Sequence, residues 1–215
     1  MDIDLRSQQD RTLKSARRSY SISARLLFAV MDLAYGKAAT LEKFRVLEVV
    51  ARVPYMAWEH VGYVAITHKH ETPVFAREIH DRVVEARAQQ DNEQWHLLII
   101  EELLHADGVR HSLVKGRLLP QLMAVIYYQL SWLLFTLRPS MSYRMNADFE
   151  DHAEHEYMAY VRDHPELEDQ LWESVFRSDY EAGPTLADLF RQIGDDERHH
   201  KEESVALIER ARFGR

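Results

Sequence analysis

Very little in this chain can interrupt a helix. It has 7 glycines and 6 prolines in 215 residues, and its apolar positions keep helical spacing nearly throughout. Pro73, Pro120, Pro139, Pro165 and Pro184 fall where helices should begin or end. Pro54 instead lies inside a helical pattern, where its missing N–H and its ring predict a kink. The reading is helices at 22–36, 41–68, 74–112, 118–137, 141–163 and 185–213, with Thr72-Pro73 and Pro184-Thr185 as starts. No period-two alternation, repeat or Gly/Ser linker is present. The expected architecture is all-α: one helical domain over 22–213, preceded by an N-terminal arm at 1–21.

Composition narrows the chemistry. Hydrophobic residues make up 46% and charged residues 29%, enough for a real core. A net charge of −8 gives no footing for a nucleic-acid partner. With no cysteine there is no disulfide, thiolate-bound zinc, iron–sulfur cluster or thiol nucleophile. Twelve histidines and many acids remain, so a bound metal would take carboxylate and imidazole ligands. Asp2, Asp4 and Asp10 argue against a secretory signal or a transit peptide. The basic run Arg11, Lys14, Arg17 and Arg18 reads either as a solvated helix end or as a handle for anionic headgroups.

One segment stands apart. Leu118 to Leu137, LLPQLMAVIYYQLSWLLFTL, carries no charge and is bracketed by Arg117 and Arg138. It is long enough to span a bilayer, with Tyr127, Tyr128 and Trp132 suited to an interface. Hydropathy alone leaves three options: a buried central helix, a transmembrane span, or a helix half-sunk in one leaflet.

A four-helix bundle holds two metal ions when each helix projects a Glu inward and two of them add a His at i+3. The spacing matters because i and i+3 share a helix face. Three Glu-x-x-His pairs occur, Glu93/His96, Glu102/His105 and Glu197/His200, against roughly one expected by chance. Glu93 and Glu102 lie on opposite faces of one helix, so only one pair can face a core. Periodicity does not choose, because both faces carry apolar neighbours.

Four segments together resemble the alternative oxidase family, above all its plastid terminal oxidase branch. They are KFRVLEVVARVPYMAWEH (43–60), DNEQWHLLIIEEL (91–103), RPSMSYRMNADFEDHAEHEY (138–157) and LADLFRQIGDDERHH (186–200). All four occur in family order, and the likeness runs from about Asp32 to His200. The resemblance implies a ferritin-like four-helix bundle with two iron ions held by Glu48, Glu93, His96, Glu150, Glu197 and His200. It places Asn92 and Asp196 behind the ligands and makes Tyr157, seven residues after Glu150, the redox-active tyrosine. Glu102/His105 then falls to the helix surface. Glu154, one turn after Glu150, stays an alternative on the residues alone. The implied substrate is a quinol of the ubiquinol or plastoquinol type, with Leu47, Ala153 and Lys43 at lining positions. Lys43 stands where the family carries Arg, with Arg45 close by. Phe28 stands where an Arg is expected four residues before Asp32. The plastid branch's extra segment before the last ligand helix is missing, leaving a short connection at 165–185.

A single crossing at 118–137 would put Glu93 and Glu150 on opposite sides of a membrane, yet both must reach one metal pair. A buried or single-leaflet helix remains, and the apolar 22–36 helix could join it in a membrane-facing patch. The family is similar: monotopic, dimeric, with quinol arriving from the leaflet. The expected function is a membrane-attached di-iron quinol oxidase that reduces dioxygen to water without pumping protons. Its expected place is the cytoplasmic face of a bacterial inner membrane. Two rivals are a soluble di-iron oxidase or hydroxylase of another substrate, and a metal-binding structural bundle.

Overall fold

The computed structural model describes residues 4–69 and 72–212. Among these, eight α-helices form in order: α1 Leu5–Lys14, α2 Ile22–Tyr35, α3 Leu41–Ala51, α4 Val53–Lys69, α5 Pro73–Ala106, α6 Leu119–Leu137, α7 Pro139–Asp163 and α8 Leu186–Ile208. A π turn at Val114–Leu118 leads into α6, and a 3-10 turn at Pro165–Asp169 follows α7. No strand occurs among the described residues beyond an isolated antiparallel bridge, Leu171 with Thr185, which closes the 165–185 connection.

Most boundaries follow from local chemistry. Pro54 breaks the expected 41–68 helix, so α3 ends at Ala51 and α4 restarts at Val53. Pro73 and Pro139 sit at the first helical positions of α5 and α7, where a missing N–H costs nothing. Thr185 caps α8 in a reciprocal box with Asp188. That helix ends at Ile208, with turn and bend at 209–212, so it stops short of the expected end at 213, which itself lies outside the described residues. The α5 helix stops at Ala106, six residues before the expected end. Gly108 adopts φ +71°, and the Val109 N–H closes onto the Leu104 carbonyl at 3.0 Å. That is a glycine-terminated helix end, which the hydrophobic pattern alone passed over.

Four rods make the bundle: the broken α3–α4, α5, α7 and α8. The α7 and α8 helices pack along each other, and α5 lies along α3 and α4. Phe44, Leu47, Val50, Ile100, Phe149 and Phe190 fill one continuous core between them. A buried Leu, Ile or Phe contributes roughly 1.5–3 kcal/mol, so this core is the main stabilising term.

The segment expected as an arm contains α1, a helix absent from the sequence reading. It packs on α7 and α8 with polar residues inward. The Gln9 amide donates to the Met158 carbonyl at 2.9 Å and accepts from Arg191 at 2.7 Å. Thr12 donates to Glu154 at 2.5 Å. The basic run also turns inward in part. Arg17 reaches Glu156 at 2.7 Å, and Arg18 reaches the buried Asp148 at 3.1 Å.

The α2 and α6 helices are apolar toward solvent. Ile22, Leu26, Val30 and Leu33 form an exposed stripe along α2, and Leu122, Val125, Ile126 and Leu133 one on α6. Opposite that stripe, α6 buries Met123, Tyr127, Ser131 and Phe135 against the bundle. This helix is therefore neither a fully buried core rod nor apolar surface on all sides.

Candidate metal centre

Each of the four rods delivers one carboxylate to the same interior point: Glu48 from α3, Glu93 from α5, Glu150 from α7 and Glu197 from α8. His96 and His200 follow their glutamates by one turn, as the i, i+3 spacing requires. All four carboxylates and His96 are fully buried, and His200 nearly so.

The six residues form two overlapping groups, each with its ligand atoms within 4.8 Å of one another. Glu48, Glu93, His96 and Glu197 make one; Glu93, Glu150, Glu197 and His200 make the other. Glu93 and Glu197 are common to both. Nδ1 of His96 stands 3.3 Å from Glu197 and 3.5 Å from Glu48 and Glu93. Nδ1 of His200 lies 2.7 Å from Glu93. Both oxygens of Glu93 and of Glu197, one each of Glu48 and Glu150, and Nδ1 of both histidines are buried without a hydrogen-bond partner. Unpartnered buried donors and acceptors are costly. So many converging on one point fit cations that the protein atoms surround. Four carboxylates carry −4, which two divalent ions would neutralise.

The protonation pattern reflects that uncompensated charge. Burial, with Glu93 nearby, pushes Glu48 up to about 8 and Glu150 up to about 7. Glu197 rises well above the usual carboxylate range for the same reasons. Burial works to raise Glu93 too, but His200 and His96 outweigh it and hold it well below. Burial lowers both histidines, and their acidic neighbours more than reverse this. Protons stand here where cations would.

Behind this cluster, Asp196 accepts from Asn92 at 3.2 Å and from the Tyr180 hydroxyl at 2.6 Å, and lies 3.2 Å from Nε2 of His96. This fixes the imidazole with Nδ1 inward. Tyr180 had no sequence signal, since it comes from the irregular connection before α8. Tyr157 is fully buried, stacks on Phe44 at 4.2 Å, and donates from its hydroxyl to Glu48. Tyr55, which sequence reasoning passed over, donates to Glu150 at 2.7 Å. Burial and adjacent glutamates push both phenols well above their usual range, so both stay protonated donors.

The remaining candidates sort by position. Glu154 points away from the centre to Thr12, Arg198 and Lys201. Together with Asp151 and His155 it forms a third carboxylate–histidine group, but the Lys201 ammonium already binds both of its acids. Glu102 accepts from the Val175 N–H at 3.0 Å, and His105 is exposed. Leu47 on α3 and Ala153 on α7 are both buried. Lys43 is buried too, with its ammonium 2.7 Å from Asp32. Phe28 stacks on His152 at 4.1 Å.

A ferritin-like helical bundle with two linked carboxylate–histidine half-sites is the class of protein that this fold and this interior define. Within that class the chain belongs to the alternative oxidase family, whose sequence model matches residues 6–208. It is 34% identical over 133 residues to ubiquinol oxidase 4, chloroplastic/chromoplastic, of Arabidopsis thaliana. That match covers 62% of this chain and 34% of the relative, so the chain aligns with about a third of the relative's length.

Proposed function

We propose that this protein is a di-iron quinol oxidase, coupling two quinols and one dioxygen to two quinones and two waters. The observation that carries the reading is the pair of buried half-sites sharing Glu93 and Glu197, with the Tyr157 phenol hydrogen-bonded to Glu48. Glu48, Glu93, His96, Glu150, Glu197 and His200 would hold two iron ions; when bound, these supply dioxygen binding and reduction. Asp196, Asn92 and Tyr180 keep His96 oriented. Tyr157 holds a proton at the Glu48 oxygen, in reach of the reacting pair. Its neighbours Phe44 and Phe190 exclude water, which suits a group that must give up an electron and a proton together.

For the quinol, an apolar groove of about 210 Å³ lies between α2 and α6, lined by Leu26, Leu27, Val30, Met123, Ile126 and Tyr127 among others. It opens beside the exposed apolar stripes, and the buried Tyr127 stands in its wall, with Ser131 as the polar neighbour of its hydroxyl. The Tyr127 ring lies 6.2 Å from Phe149, the residue before Glu150. An isoprenoid quinol suits this geometry, its tail along the groove and its head inward toward Leu47, Ala153 and Lys43. Tyr127→Phe is expected to raise the KM for quinol about fivefold with little change in kcat, the size of one net hydrogen bond. Steady-state oxygen uptake against quinol concentration measures this.

Attachment to one leaflet through α2 and α6 belongs to the same proposal. The segment Val114–Leu137 is the one stretch among the described residues long and apolar enough to cross a membrane. The glutamates on either side of it, Glu93 and Glu150, meet at one centre. With no crossing path among the described residues, this reading has protons released from quinol consumed where they arise and none pumped. A homodimer is part of the reading, as the family resemblance implies. The bacterial cytoplasmic face expected from the sequence finds no support in the comparison, whose matching protein is chloroplastic or chromoplastic.

The test uses membranes from a host lacking its own quinol oxidases, given a short-chain quinol and cyanide. Oxygen uptake that resists cyanide and disappears in an equally abundant Glu93→Ala variant is the expected result. Absence of uptake from membranes holding two irons per chain would remove the quinol assignment.

A further inference from the structure

Tyr157 lies seven residues after Glu150 and donates to Glu48, and the molecule contains the mirror of that arrangement. Tyr55 lies seven residues after Glu48 and donates to Glu150 at 2.7 Å. Each of two ligand-bearing rods thus sends a phenol, two turns beyond its own glutamate, across to the other rod's glutamate. The restart of the helix at Val53 after the Pro54 break sets Tyr55 in the first turn of α4. Its side chain is fully buried, with its ring 5.2 Å from Trp58 and 5.9 Å from His200.

The two ends of the centre differ in what stands behind the phenol. Tyr157 is enclosed by aromatic rings. The Tyr55 oxygen instead accepts from the Asn146 amide at 3.0 Å, and that amide also donates to Ser204 at 3.1 Å. With Asn146 donating to its oxygen, the Tyr55 hydroxyl has its proton directed at Glu150. The result is that Oε1 of Glu150 is engaged while Oε2 has no partner and is free to face the centre.

We infer that Tyr55 is a positioning residue for the second metal site, holding Glu150 by one oxygen through the chain Ser204–Asn146–Tyr55 so that the other serves as ligand. This rests on the two-metal reading of the centre. A carboxylate held by one oxygen presents a single defined donor, whereas a free one alternates between one- and two-oxygen binding. Loss of such an outer partner typically weakens metal affinity by 10–100-fold.

Full-length protein stripped of metal is titrated with Co(II), following the visible absorption of each equivalent. Wild type is expected to bind two. Tyr55→Phe should bind the first as wild type does and the second about tenfold more weakly, with an altered band for that second ion. Trp58→Phe is the control: it removes another buried hydrogen bond of α4, from Trp58 to Ser142 at 2.8 Å, and should leave both affinities unchanged. Should Tyr55→Phe lose helical content, Ser204→Ala loosens Asn146 with the phenol in place and should weaken the same equivalent by less. Unchanged second-site affinity in a folded Tyr55→Phe, or in Ser204→Ala if the first does not fold, overturns the inference. So does equal weakening by Trp58→Phe, which would make the effect one of packing. Fewer than two ions bound by wild type would overturn the two-metal reading itself.

Discussion

Glu197→Gln is expected to leave less than one metal ion per chain, yet to make the metal-free protein more stable than metal-free wild type. Glu197 is common to both half-sites, so its loss removes a donor from each. The amide keeps the shape but brings no charge. In metal-free wild type, four fully buried carboxylates share one interior with two histidines. Burial beside the other acids raises Glu197, so near neutral pH folding must place a proton on it, and the amide removes that cost. Metal analysis of purified protein, with thermal unfolding in excess chelator, reads both effects; a Tm several degrees above metal-free wild type is the expected size. A lower metal-free Tm would mean that Glu197 is compensated in a way the geometry does not suggest.

The same charges fix the sign of a pH dependence. Glu48 and Glu150 have folded values of about 8 and about 7 against an ordinary 4.5. The folded metal-free state therefore binds their protons more tightly than the unfolded chain does. That stabilisation is complete below about pH 4.5 and is lost as pH climbs through 7 and 8. His96 and His200, also raised, act in the same direction above 6.5. Glu93, held low, contributes oppositely, but only as pH falls below 4.5. Metal-free protein should therefore lose stability between about pH 5 and 8. Metal-loaded protein should gain it over the same range, because binding needs deprotonated ligands. Parallel profiles for the two forms would sink this account of the interior.

Tyr157→Phe is expected to abolish most quinol oxidation while keeping both metals. The ring still stacks on Phe44 and Phe190, so the core is preserved. What disappears is the hydroxyl that donates to Glu48. Loss of a positioned proton donor costs about 10²–10⁴-fold in rate, and loss of the phenol's electron acts at the same step. Oxygen uptake normalised to iron content is the measurement. Near-normal turnover in a variant with two irons would make Tyr157 a packing residue. Turnover and iron lost in proportion would make it a support for Glu48.

Helix content and class were legible because scarce Gly and Pro leave few ways to end a helix, and because Pro73, Pro139 and Pro184 mark starts. The ligand pattern was half legible. Glu-x-x-His is a local property of helical pitch, so Glu93/His96 and Glu197/His200 could be read, but so could Glu102/His105. Which face of α5 turns inward depends on what packs against it, and the rods carrying Glu48, Glu150 and Glu197 decide for Glu93. The same holds for Glu150 over Glu154, since Lys201 and Arg198 hold the latter outside.

Other features followed local rules that the apolar pattern obscured. The α1 helix was missed because it packs through Gln9 and Thr12 rather than through an apolar stripe. Gly108, which ends α5, is an ordinary stop signal inside a segment that still looked helical. Tyr55 had the same spacing from Glu48 as Tyr157 from Glu150, but that spacing gains meaning only once the two rods are side by side.

By itself, then, the sequence determined the helices, the ligand types and the one-turn spacing within each pair, because these depend on dihedral preference and pitch over a few residues. The tertiary structure decided which carboxylates meet, which phenol serves which end, and which side of α6 stays exposed. Those depend on the angles and separations of rods distant in sequence, which packing of the whole core sets.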